Sequence, residues 1–304
     1  MRFKKLDMNL LVALDILIRT RSVTRSANEI GITQSAMSNA LTRLRTFFDD
    51  PLLVQVGRRM ELSPLAESLA DPVRDIMVRV ESAVLVNPTF DATRSSRAFS
   101  IVLSDYSLQM LGAHLSELVA REAPNIQLNF RPQHMTPYKL LESGDIDLLI
   151  APEFVCSDSH PREAVFSDPM RVLACINGPF AQELTVDQFR QAQHVMMVPL
   201  EAQQSYAAMQ LRQKGVDVEL ATTTYAFSSI PAMVRNTRRI AVVQGEIARH
   251  AVIAGGLAAH EPPIPIPPLV QAMQWHKMRS RDAGLEWLRA AIRSCFKTIE
   301  SERN

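Results

Sequence analysis

Only three cysteines occur in 304 residues, Cys156, Cys175 and Cys295, and they stand far apart with no CxxC pair. That scarcity argues against a disulfide framework or a cysteine zinc site and fits a reducing cytoplasm. The plain reading is three free thiols, buried or half-buried. No apolar run approaches the ~18 residues that span a membrane. The opening Met1-Arg2-Phe3-Lys4-Lys5 is basic like a signal n-region. The apolar stretch behind it is cut by Asp7, Asn9 and Asp15, and no small-residue cleavage site follows, so export is not expected. The motifs of common enzyme chemistry are missing: no Walker loop, GxGxxG, HExxH or GxSxG. His114, His134, His160, His194, His250, His260 and His276 show no metal-ligand spacing. No cofactor is expected.

What is present is an ordinary globular composition. Apolar residues make up 47% and charged residues 21%, enough to bury a sizeable core in two or three domains. Net charge is +1, but its distribution is uneven. Residues 1–60 hold ten Lys/Arg and five Asp/Glu, while the remainder holds 23 and 27. A basic first segment on a slightly acidic body suggests that the first segment meets a polyanion.

Four helical patterns open the chain. Asp7 is a candidate N-cap, followed by Leu10, Leu11, Leu14, Leu17 and Ile18 on one face. The second helix starts near Ser22, carries Ala27 and Ile30, and stops at Gly31. The third follows Thr33 and places Met37, Leu41, Leu44 and Phe48 on one side. The fourth begins at Ser63-Pro64, an N-cap followed by proline at the first helical position. Pro72 lies inside it and should bend it. Between helices three and four, Leu52–Leu62 reads as a β-hairpin around Gly57-Arg58-Arg59.

Helices two and three with the tight turn Gly31-Ile32-Thr33 have the spacing of a helix-turn-helix, whose second helix enters the DNA major groove N-terminus first. Thr33 caps that helix and leaves backbone N–H groups near phosphates. The face opposite the apolar side carries Gln34, Ser35, Ser38, Asn39, Thr42 and Arg43. These are short polar groups that can read base edges, plus a cation for phosphate or guanine. Any surface helix has a polar face, and the hairpin and basic bias weigh against that bland reading. Arg58 and Arg59 at the hairpin tip can enter the minor groove or grip the backbone, or form a plain solvated turn. In the fourth helix, Leu65, Leu69, Val73, Ile76, Val80 and Val84 form an apolar stripe. A second copy of the same helix would cover it and give a two-fold dimer. The competing reading is packing within the same chain.

Residues 87–98 read as a linker, after which strands and helices alternate. Strands are predicted at 100–103, 126–130, 147–151, 171–176, 194–198, 217–225, 239–243 and 270–275. Helices are predicted at 107–122, 136–143, 185–191, 203–214, 228–236, 244–254 and 282–300. Such alternation means an α/β domain with largely parallel sheets. Two lobes are expected, with the chain crossing between them near 168–171 and again through the proline-rich stretch 262–268.

The residues 1–65 resemble the DNA-binding domain of the LysR-type transcriptional regulators. The segment Thr33-Gln34-Ser35-Ala36-Met37-Ser38-Asn39-Ala40-Leu41-Thr42-Arg43-Leu44 is similar to that family's recognition helix, and Leu62-Ser63-Pro64 to its wing-to-linker junction. The opening through Asp15 resembles the NodD branch of nodulation and aromatic-sensing regulators. So do Val102-Leu103-Ser104-Asp105-Tyr106, Gly144-Asp145-Ile146-Asp147-Leu148-Leu149-Ile150 and Phe227-Ser228-Ser229-Ile230-Pro231. Two positions depart from the family pattern: Ser35 stands where many members carry proline, and Asn39 where many carry arginine.

The resemblance implies an α+β multidomain chain: a winged helix-turn-helix at 1–62, a linker (dimerisation) helix at 63–87, a hinge at 88–96 and an effector-binding domain at 97–304. The last is expected to be a two-lobed α/β domain like a periplasmic binding protein, with lobe I at about 97–168 and 268–304 and lobe II at about 169–267. It further implies double-stranded DNA, a small aromatic inducer and a homodimer or homotetramer as partners. It allows a contact with RNA polymerase. No membrane partner is expected. Ligands of such folds bind in the crevice at strand ends. Candidates there are Ser104, Asp105 and Tyr106 after the first strand, Pro152, Glu153 and Phe154 after the third, Pro199 after the strand at 194–198, and Phe227, Ser228 and Ser229 before a helix. Backbone N–H groups at 227–229 could hold a carboxylate or phenolate. An activator is expected, with a ligand-relieved repressor as alternative. The competing class is a ligand-processing enzyme or transport-type binding protein fused to a DNA-binding domain.

Overall fold

The computed structural model describes residues 7–84, 90–133, 136–199 and 204–303. The basic opening Met1–Lys5, the expected 87/88 boundary, His134 and the side chain of Val84 lie outside them. Two compact units divide the chain, one holding the N-terminal helices and the other the two larger sheets.

The first unit runs α1 (Met8–Thr20), α2 (Val23–Ile30), α3 (Gln34–Phe48), β1 (Leu53–Val56), β2 (Arg59–Leu62) and α4 (Pro64–Val84). Side chains cap each of the first three helices: Asp7, Ser22 and Thr33 accept the N–H of Leu10, Arg25 and Ala36. Gly31 ends α2 at φ +74°, a backbone state that glycine adopts without a Cβ penalty. Leu10, Leu14, Leu17, Met37, Leu41 and Leu44 close one core under these helices. Each such side chain contributes about 1.5–3 kcal/mol on burial.

The apolar stripe of α4 divides. Ala66, Val73 and Met77 belong to the core that α1 shares, and Leu69 packs at its edge. Val73 is therefore covered by its own chain. At 3.6 residues per turn, Leu65 and Ile76 are turned roughly 60–80° away from Val73, and Ile76 is 41% exposed. Leu65 and Val80 are half-buried. Buried Asp15 on α1 ties the two helices by an ion pair with Arg74 at 3.0 Å.

The second unit holds two five-stranded sheets. The first has the order β4 (Gln127–Pro132), β3 (Ala98–Leu103), β5 (Leu148–Pro152), β12 (Leu269–Gln274), β6 (Arg162–Asp168). The second has β11 (Leu257–His260), β7 (Met170–Cys175), β10 (Ile240–Gln244), β8 (Gln193–Met197), β9 (Glu219–Thr224). Helices α5 (Asp105–Glu122), α6 (Pro137–Glu142), α7 (Val186–Gln191), α8 (Tyr206–Gln213), α9 (Ile230–Val234), α10 (Gly245–Ile253) and α11 (Ala283–Arg303) complete it.

The sheets are mixed rather than largely parallel. β3 runs parallel to β4 and β5, and β8 parallel to β9 and β10. β12 is antiparallel to β5 and β6, as β7 is to β10 and β11. The cause is connection length. Parallel neighbours need a crossover, usually a helix. β6 instead passes straight into β7 through Pro169, and β11 reaches β12 without a helix. Those two crossings carry the chain from one sheet to the other and back. β6 and β11 are also the strands that the sequence pattern missed.

Candidate functional site

In the first unit the capped N-terminus of α3 and its outer face are open. Thr33, Gln34, Ser35, Ser38, Asn39, Thr42 and Arg43 are all exposed, while Met37, Leu41 and Leu44 are buried beneath them. The Thr33 hydroxyl accepts the Ala36 N–H at 3.2 Å and lies 3.0 Å from the Ser35 hydroxyl. The Thr42 hydroxyl donates to the Ser38 carbonyl. Arg43 is paired with Asp7 at 3.0 Å. The hydrogen bond from the Leu10 N–H, then Arg43, holds the Asp7 carboxyl below its ordinary value. A phosphate that takes Arg43 must compete with this carboxylate.

The hairpin turns at Gly57, φ +60°, with Val56 opposite Arg59. Arg58 thus sits in the loop and Arg59 opens β2, both exposed. Two residues absent from the sequence-based site hold this wing. Arg45 donates to the carbonyls of Pro51 and Leu53 at 2.8 and 3.0 Å. Asp50 accepts the Leu52 N–H and the Ser63 hydroxyl, which stabilises Leu52 at φ +56°. The recognition helix and wing are therefore presented as one rigid surface. No sequence pattern marked Arg45 or Asp50, because their partners, backbone groups around Pro51–Leu53 and the Ser63 hydroxyl, are set by the folded turn.

In the second unit the cleft candidates separate into groups. Ser104 caps α5, accepting the Ser107 N–H at 3.2 Å. Asp105 accepts the Ser228 N–H at 2.9 Å, a bond from the first-sheet lobe to the second-sheet lobe. Phe154 is 55% exposed and stacks on Tyr206, with ring centroids 5.6 Å apart. The Tyr206 hydroxyl reaches the Pro267 carbonyl in the second crossing. Glu153 is exposed, 3.6 Å from Arg162. Pro152 and Pro199 are half-buried. The Ser229 hydroxyl is used locally, by Thr224 and the Ala226 carbonyl.

Tyr106 differs from expectation. It is 1% exposed, and its hydroxyl donates to Asp168 at 2.6 Å. Burial, then the neighbouring Asp168, raises its pKa well above the ordinary value and keeps it a donor. Its ring meets the edge of Phe227 at 6.3 Å. Tyr106 is thus a core residue that positions Phe227, not a surface for a ligand. The reason is its place at the second position of α5, which turns the ring inward, while Ser104 and Asp105 stay half-buried. Asp168, fully buried, also accepts the Glu246 N–H across the first crossing. Tyr206 and Asp168 join the site only through the fold.

Among the described residues no helix is long and apolar enough to cross a membrane, and no His/Cys/Asp/Glu cluster could hold a metal. A winged helix-turn-helix with an exposed polar helix face, followed by an α/β unit of two sheets joined by two crossings, defines a DNA-binding regulator with a small-molecule-binding domain.

The comparisons with known proteins agree. Residues 8–67 match the bacterial regulatory helix-turn-helix protein, lysR family, and residues 93–296 match the LysR substrate binding domain. The chain belongs to the LysR family of transcription regulators, and it is a regulator rather than an enzyme. It is 36% identical to Nodulation protein D 3 of Mesorhizobium japonicum, covering 95% of this chain and 97% of the relative. It is likewise 36% identical to Nodulation protein D 2 of Rhizobium leguminosarum bv. phaseoli, over 96% and 92%. Full-length OxyR from Pseudomonas aeruginosa shares the fold at a TM-score of 0.76 and 15% identity, covering 95% of both chains.

Proposed function

We propose that this regulator activates transcription from a promoter operator in the cytoplasm, as a homodimer or homotetramer, when a small aromatic inducer binds between the lobes of its second unit. Gln34, Ser35, Ser38 and Asn39 read bases, with Thr33, Thr42, Arg43, Arg58 and Arg59 on the backbone. The observation that carries the DNA reading is the capped, exposed polar face of α3 above a fully buried apolar one. On the sensing side, Ser104, Asp105, Phe154, Phe227 and Ser228 face the crevice. The bond from Asp105 to Ser228 supports this, because it brings the two lobes into contact at the strand ends. A ligand there shifts regulation only by binding two arrangements unequally. Contact with RNA polymerase would complete activation.

Footprinting on DNA upstream of the neighbouring divergent gene, with and without candidate aromatics, tests the whole reading. Calorimetric titration tests the crevice. Phe227→Ala and Ser104→Ala should abolish inducer binding while operator affinity without inducer stays near wild type. Inducer affinity equal to wild type in both would place the ligand elsewhere. A footprint that ligand lifts instead of remodels would favour the ligand-relieved repressor.

A further inference from the structure

On the flank of the first crossing lies a cavity of about 200 Å³, lined by Pro169, Arg171, Gly245, Glu246, Arg249 and Arg303 among others. Its walls come from both lobes. Arg303 ends α11, where it donates to the Ser167 carbonyl of β6 and lies over the Phe166 ring. Arg171 and Arg249 come from β7 and α10 of the other lobe. Gly245 lets α10 pack closely on the first crossing: a Cβ there would meet the Asp168 carboxylate at 2.6 Å and the Pro169 carbonyl at 2.9 Å.

The charges in this cavity are unevenly matched. Glu246, 2% exposed, takes Arg249 at 2.8 Å. Arg303 stands 3.7 Å from Asp168 and 3.9 Å from Glu246, beyond hydrogen-bond range. Arg171 is 3.7 Å from Glu261, whose side chain is 83% exposed and screened by water. Three guanidinium groups therefore face two buried carboxylates, Asp168 and Glu246, with Glu261 at the water-exposed rim. Arg249 also reaches the His250 ring, Arg171 donates to the Met170 carbonyl and Arg303 to the Ser167 carbonyl, so each guanidinium keeps further N–H donors, and the three cations exceed the two buried carboxylates by one.

We infer that this cavity is a second binding site, distinct from the crevice, for a small oxyanion held by Arg171, Arg249 and Arg303. Guanidinium groups pair with carboxylate or phosphate oxygens through two parallel N–H···O bonds, which is the chemistry both ions share. Drug-sized ligands occupy roughly 300–1,000 Å³, so this smaller volume suits a small acid or inorganic phosphate. An anion gripped by Arg303 on one lobe and by Arg171 and Arg249 on the other braces the first crossing between the lobes. It would set how readily the lobes rearrange around the crevice.

The test uses the full chain at constant ionic strength. Thermal melting is followed while potassium phosphate, or separately potassium acetate, replaces potassium chloride. A saturable rise in Tm with either ion, absent with chloride, supports the site, and the ion that acts identifies the source as phosphate or carboxylate. Arg171→Gln, which touches neither buried carboxylate, should weaken the apparent Kd at least tenfold, and Arg249→Gln should do the same. Equal stabilisation by all three salts, or an unchanged Kd in both variants, overturns the assignment.

Discussion

Between Thr33 and Arg43 the proposed reading groups of the first unit follow one another on a single helix face, all exposed. In the second unit the groups proposed for the crevice come from distant points: Asp105 and Ser228, which hydrogen-bond, are 123 residues apart. One unit displays its chemistry on a surface that local helix geometry builds. The other assembles its chemistry from strand ends and mixes buried with exposed members. Substitutions in the first should therefore change binding without changing stability, and substitutions in the second should often change both.

The sharpest test of that contrast lies in α4, which belongs to the first unit yet contributes to its core. Val73→Asp places a charge against α1 and should cost several kcal/mol, visible as loss of the helical unit in thermal melting. Ile76→Asp, on the exposed flank, should leave the melt unchanged and dissociate dimers in sedimentation if that flank is the self-association face. A Val73→Asp protein with wild-type melting would remove Val73 from the core.

Next in size is Tyr106→Phe, which strips a hydroxyl from buried Asp168 and should cost about 1–3 kcal/mol. Burial already holds the Asp168 carboxyl above its ordinary 3.8, and the Tyr106 hydroxyl opposes that shift. A carboxyl raised in the folded state stabilises the fold in full below 3.8, and the contribution fades as pH rises through its raised value. Without the hydroxyl the raised value should climb further, extending that acid-side gain to higher pH. A Tm-versus-pH curve that is merely displaced downward, with no change of shape, would show that the two groups are not coupled.

On the DNA side, Asn39→Ala should cost ~1–3 kcal/mol on the cognate site and relax specificity there. Equal weakening on cognate and random DNA would strip Asn39 of a reading role. Replacing Arg58 and Arg59 together should flatten the salt dependence by up to ~0.9 slope units each, and an unchanged slope would turn the wing away from DNA. The smallest effect is expected from Asp7→Asn. Asparagine caps a helix about as well as aspartate, so α1 survives, while Arg43 is released from its ion pair. The slope should then steepen by at most ~0.9 units. A lower affinity for random DNA would show instead that Asp7 orients Arg43 productively.

What could be read from the amino-acid order follows the range of the forces involved. Asp7, Ser22, Thr33 and Gly31 mark helix ends because a cap is satisfied within three residues of itself. The 3.6-residue repeat of Met37, Leu41 and Leu44 determined which side of α3 is buried and so which side is free to meet DNA. The hairpin around Gly57 follows from its turn. The positions in the second unit were harder. β6 and β11 lack a strong repeat, and their antiparallel pairing depends on partners far along the chain.

Only the tertiary structure decided that Val73 faces α1, that Tyr106 points into the core onto Asp168, and that Phe154 finds Tyr206. Each of these turns on a neighbour brought near by chain folding. An apolar stripe on α4 states that something must cover it, and an aromatic after a strand states that a ring is available. Neither names its partner, because burial rewards any contact that excludes water and is blind to which residue supplies it.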